Sequence, residues 1–164
     1  MKKIFFILLL CLLAGFFHFN HGQAETLKDT EKCSIYFVDR RLHRLVPLPF
    51  SPLRTPEKTA REIISGIIDG KDSNPEILRL IPRIKDCISV RVISNTAYVN
   101  LFGELSSHMN KNPETEKLFI YQIVNSLTSI TGIDYVRFTI DNETKKDFLG
   151  FLDMREIFTA DCYM

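Results

Sequence analysis

Apolar side chains recur along this chain in two rhythms, a period of two and a period near 3.6, and the switches between them outline the elements. Ser34-Ile35-Tyr36-Phe37-Val38 is β-branched and aromatic and is broken by Asp39-Arg40-Arg41, which predicts the first strand. Residues 42–48 alternate in part, but Pro47, Pro49 and Pro52 confine them to a short edge strand, because proline has no N–H to offer a central ladder. Thr55-Pro56-Glu57 opens a helix with a capping hydroxyl, a proline where its missing N–H is harmless, and an acid at the positive end of the dipole. Ala60, Ile63, Ile64, Ile67 and Ile68 then form one buried stripe, and Asp69-Gly70 ends the helix. Asn74-Pro75-Glu76 predicts a short helical turn over residues 76–80, stopped by Pro82.

Two β-rich runs, residues 88–92 and 97–101, flank Ser94-Asn95 and read as a hairpin. Asn112-Pro113-Glu114 opens a second long helix whose Ile120, Ile123, Val124, Leu127 and Ile130 share a face, with Thr131-Gly132 as its end. Residues 133–140 return as a strand, and the apolar tail 148–158 is expected to add a further strand or a cover. The order β-α-β-β-α-β, with two one-faced helices, predicts an α+β two-layer sandwich with both helices on one face of a mixed sheet.

Composition narrows the functional classes. The chain has 164 residues, 45% hydrophobic and 25% charged, which is the profile of a folded domain and not of a disordered or fibrous chain. Residues 1–24 contain Lys2 and Lys3 and no acid. Removing them leaves 19 of the 21 basic side chains against 20 acidic ones. That balance excludes a nucleic-acid binder acting through bulk charge.

Residues 1–24 read as an export signal: the charged start, an apolar run from Ile4 to Phe17, and Gly22-Gln23-Ala24 as a small-residue cleavage site, with Glu25 the expected new N-terminus. A retained anchor needs about 20 apolar residues, and His18, Asn20 and His21 interrupt this run too soon. No cysteine stands where lipidation would need one, since Phe16 follows Leu13-Ala14-Gly15. The expected layout is a signal over 1–24, a polar leader over 25–33 and one domain over 34–164, exported and soluble, with no membrane span after cleavage. Cys33, Cys87 and Cys162 then remain, three pairings are open, and we expect Cys162 to staple back to Cys33.

The wording as well as the order of these segments resembles the GerMN domain of bacterial envelope proteins, found in sporulation and germination proteins and in secreted lipoproteins. The resemblance rests on Ile35-Tyr36-Phe37 with Leu45-Val46-Pro47, on Thr55-Pro56-Glu57 through Ile63-Ile64-Ser65-Gly66, and on Leu80-Ile81-Pro82. It continues through Ala97-Tyr98-Val99-Asn100-Leu101, where Asn100 replaces the family's acid, then Tyr121 to Thr128 and Val136 to Asp141. It implies an extracytoplasmic α/β domain, laid out like the ring-building modules of envelope machines and acting through protein contacts.

Candidate chemistry is sparse. His43 and His108 lack metal-ligand spacing, Ser106-Ser107-His108 lacks a nucleophile elbow, and Asp69, Asp72, Glu76 and Asp86 do not follow the spacing of a calcium loop. No phosphate-cradling glycine motif occurs, and we expect no catalytic, metal or cofactor site. Arg40, Arg41, His43 and Arg44 form a small basic cluster on a turn. Asn125, one step past the apolar stripe, is expected to be a structural amide that finds a backbone partner and fixes how its helix sits on the sheet. The expected partner is an envelope protein met through sheet edges, the alternative being peptidoglycan or a small ligand, and the oligomeric state stays open.

Overall fold

The computed structural model describes residues 32–70 and 74–161. The export signal, nearly all of the leader, Asp72 and Cys162 lie outside the described residues. Among the described residues eight strands and α-helices follow in order: β1 (Cys33–Asp39), β2 (Arg44–Phe50), α1 (Pro56–Asp69), β3 (Ile77–Leu78), β4 (Ile88–Ile93), β5 (Thr96–Leu101), α2 (Pro113–Thr128) and β6 (Tyr135–Ile140). A 3-10 turn, Gly103–His108, precedes α2.

The α+β class holds, but the strands divide into two sheets, ordered β2-β1-β3 and β4-β5-β6. The mixed sheet is the second: β4 and β5 are antiparallel, β5 and β6 parallel. β1 stays out of it for a local reason. The amides of Ser34 and Tyr36 donate to the hydroxyls of Ser129 (2.9 Å), which caps the end of α2, and of Ser126 (2.8 Å) on α2, and Ser129 donates back to the Ser34 carbonyl at 3.0 Å. A helix face therefore occupies the edge that a neighbouring strand would have used.

The short helix expected over residues 76–80 is instead β3, paired with Val38 and Asp39 of β1. Asn74 explains the correction: its side chain accepts from the Glu76 amide at 2.9 Å and its carbonyl from the Ile77 amide, which closes a turn and presents Ile77 to the β1 edge. Thr55 caps α1 and Asn112 caps α2 through side-chain bonds to the Lys58 and Thr115 amides, with proline next in each. The expected hairpin forms, and Ser94 takes the positive φ its turn requires.

The core lies between helices and sheets. α1 presents Ala60, Ile63, Ile64 and Ile67 chiefly to β4, while α2 packs mainly on β1 and also reaches β6. α2 is buried almost all round, Gln122 to Leu127 without a break, as expected of a helix held between two layers. Full burial of Phe119, Ile120 and Ile123 is worth about 1.5–3 kcal/mol for each side chain.

The tail is a cover that also donates one bridge. Val136 and Phe158 exchange both backbone hydrogen bonds at 2.9 Å, and the Phe158 ring meets Phe138 edge-on at 5.2 Å. Glu116, completely buried, clamps the start of this tail: its carboxylate accepts from the amides of Leu149 (2.7 Å), Phe151 (2.7 Å) and Leu152 (2.9 Å).

Candidate functional site

Every strand that ends a sheet carries a row of outward N–H and C=O groups, and these rows meet different fates here. In sheet one, Ser34 and Tyr36 face α2, so their partners Pro49 and Pro47 face away from β1 onto the outer row of β2. Two prolines on that row leave it without two of its donors. β3 contributes only two residues. In sheet two, the outer row of β6 is taken at one end by Phe158 and at the other by Glu143, whose carbonyl accepts from the Ile140 amide.

β4 differs. The Phe102 amide donates to the Cys87 carbonyl, so the alternation of the antiparallel ladder directs Ser89, Arg91 and Ile93 toward β5 and leaves the backbone groups of Ile88, Val90 and Val92 outward. Those groups have no backbone partner among the described residues. Those of Ile88 and Val90 border a groove of about 610 Å³ whose opposite wall is α1, with Ser65, Ile68 and Asp69 across from them. Charges of both signs line it: Arg61 and Lys85 against Asp69 and Asp86.

The face of sheet two that the helices do not cover is a second exposed surface. Register places Arg91, Tyr98 and Arg137 in one row across three strands, with Ile93, Thr96 and Tyr135 in the next. Ile93, Tyr98 and Tyr135 are exposed, and neither arginine has an ion-pair partner among the described residues.

The residues singled out from the sequence are scattered. His43 meets Glu114 at 3.1 Å on an exposed turn, and His108 lies 3.9 Å from Glu104. Ser106 and Ser107 donate to carbonyls three residues back, which leaves no nucleophile directed at His108. Among the described residues no group of three or more His, Cys, Asp or Glu is placed to hold a metal ion. In the basic cluster, Asp39 accepts from the Arg41 and Leu42 amides at 2.8 Å, and these bonds hold its carboxyl below the usual range. Cys33 and Cys87 are buried, are not bonded to one another, and have their thiols pushed up by desolvation.

Asn125, 5% exposed, is bound on both sides: its amide donates to the Asp161 carbonyl and its oxygen accepts from the Asp161 amide, each at 2.9 Å. The segment it holds is the tail rather than the sheet. Glu116 escaped the sequence reading altogether, because an acid in the first turns of a helix passes for an exposed dipole partner. The open β4 row escaped it too, since nothing in a strand's own pattern says which edges will be covered.

Among the described residues, no helix is long and apolar enough to cross a membrane. No curated protein matches the chain. Solved structures share the fold, among them three that follow. A protein assigned as a lipoprotein from Clostridium perfringens is 19% identical over 78% of this chain and 86% of its own, with a TM-score of 0.57. The first GerMN domain of the sporulation protein GerM from Bacillus subtilis is 16% identical over 81% of this chain and 98% of its own (TM-score 0.58). The tandem GerMN domains of the same protein are 18% identical over 78% of this chain at a TM-score of 0.61, and the chain spans 45% of that structure. The family model described as Germane, sporulation and spore germination, matches residues 34–146, and the chain belongs to that family.

Proposed function

We propose that the chain is an exported, non-enzymatic interaction and assembly module of the bacterial cell envelope. The observation that carries this reading is the open outer row of β4 beside its groove, where the other outer rows among the described residues are occupied at their ends, shortened or proline-blocked. The family's tie to sporulation and germination, and the likeness to a protein assigned as a lipoprotein, favour an extracytoplasmic setting. In this reading residues 1–24 are removed on export. A photo-reactive side chain at exposed Ser89 is expected to label an envelope protein, whereas one at Pro47 on the blocked β2 row is not. Equal labelling from both positions, or labelling of cytoplasmic proteins alone, overturns it.

Export also favours the Cys33–Cys162 bridge, formed as a thiol oxidant of that compartment takes two electrons and the thiols release two protons. Ser34 and Asp161, each the neighbour of one of these cysteines, are bound to α2 at Ser129 and Asn125, one helical turn apart. Intact mass with alkylation, before and after reduction, tests this: three free thiols would refute it. A second reading, peptidoglycan binding, draws on Tyr98 and Tyr135 beside Arg91 and Arg137, since rings and cations suit sugars and carboxylates. Cosedimentation with isolated cell wall, lost in a Tyr98→Ala, Tyr135→Ala variant, would support it.

A further inference from the structure

We propose that the β4 groove receives a second copy of this chain, the two β4 strands pairing antiparallel about a two-fold axis at Val90. This rests on the reading of the β4 edge as a protein contact and names the partner.

The outward groups of Ile88, Val90 and Val92 belong to alternate residues, so their hydrogen bonds are met by an extended strand in antiparallel register. With the axis at Val90, each Val90 faces the other, Ile88 faces Val92, and Ser89 faces Arg91. The helix-side pairs are wholly apolar. On the opposite face no like charges stand directly across from one another.

Charge distinguishes a second copy from an acidic or basic strand. The groove carries both signs, so a partner of one sign meets repulsion at Asp69 and Asp86 or at Arg61 and Lys85. α1 carries its share in a self-complementary pattern: Arg61, Ser65 and Asp69 stand at successive turns, positive, neutral and negative. A two-fold axis beside Ser65 sets Arg61 of each copy against Asp69 of the other. Within one copy Arg61 pairs with Glu57, and Asp69 accepts from Ser65 at 3.5 Å. Both side chains lie on the exposed side of the helix. Such a contact closes at two copies and joins the sheets into a six-stranded one.

Sedimentation equilibrium of the chain as purified from its own envelope is the test. A monomer–dimer equilibrium with a dissociation constant of about 10–100 μM is expected for an interface of this small size. Arg61→Asp and Asp69→Arg are each expected to weaken it by about tenfold or more, by setting like charges across the axis. Mixing the two variants is expected to restore a dimer, now of unlike chains, which misfolded protein cannot do. A wild-type monomer at about 1 mM, or a dimer indifferent to both reversals and to mixing, overturns the proposal. Labelling of a different envelope protein from Ser89 by a monomeric chain would refute self-pairing and leave the assembly reading standing.

Discussion

The two sheets solve the same problem in different ways. Sheet one closes both of its sides with side-chain chemistry written into neighbouring elements: Pro47 and Pro49 on β2, and the hydroxyls of Ser126 and Ser129 on the far side of β1. Sheet two closes only β6, with the tail, and leaves β4 open beside a groove. An exposed strand row invites pairing with other chains, so natural proteins blunt such rows unless they use them. Among the described residues two rows are blocked by specific residues and the β4 row is left bare, which is why we propose the bare one as the working surface.

Perturbing the closures sharpens this contrast, and the largest effect is expected at Glu116. Glu116→Gln loses the charge and sets an NH2 group against one or two of the three backbone amides, so urea unfolding should show a loss of about 2–4 kcal/mol. Hydrogen exchange should quicken at Val136 as the tail loosens. Asn125→Leu removes the side-chain bonds to both backbone groups of Asp161, and about 1–3 kcal/mol should be lost. An unchanged melting temperature would show that Asn125 does not anchor the tail. Ser126→Ala strips the Tyr36 amide of its acceptor, for about 1–2 kcal/mol, and exchange at Tyr36 should rise while that at Val99 does not.

Replacing Pro47 and Pro49 together by threonine restores two outward donors to β2. Stability should move by under about 1 kcal/mol, but light scattering should show new self-association through sheet one. If association is unchanged, proline is not what protects that edge. The smallest effect is on the exposed tail. Hydrogen bonds from Arg155 hold the Asp153 carboxyl down to about 2, from an ordinary value near 3.8. A depressed carboxylate stabilises the fold above its unfolded value and loses that effect as pH falls through its folded one. Between about pH 4 and pH 2 the wild type should therefore lose slightly more stability than Asp153→Asn.

Much of this was legible along the chain. The Thr55 and Asn112 caps, the prolines that follow them, the isoleucine stripe of α1 and the Ser94-Asn95 turn act through neighbours within four residues, so local chemistry decided them. The family resemblance was readable for the same reason, being carried by short segments such as Thr55 to Gly66 and Tyr121 to Thr128. What local chemistry could not settle was partnership at long range. Residues 76–80 follow a helix opening, yet a waiting β1 edge made Ile77 and Leu78 a strand. Ser126 and Ser129 look like ordinary helix residues until β1, about 90 positions earlier, is laid against them. Glu116 becomes a buried clamp only when residues 149–152 fold back over it. The sequence thus determined the elements, because caps, turns and stripes are short-range; tertiary structure alone decided which strand rows are covered, because a backbone group's partner can come from anywhere in the chain.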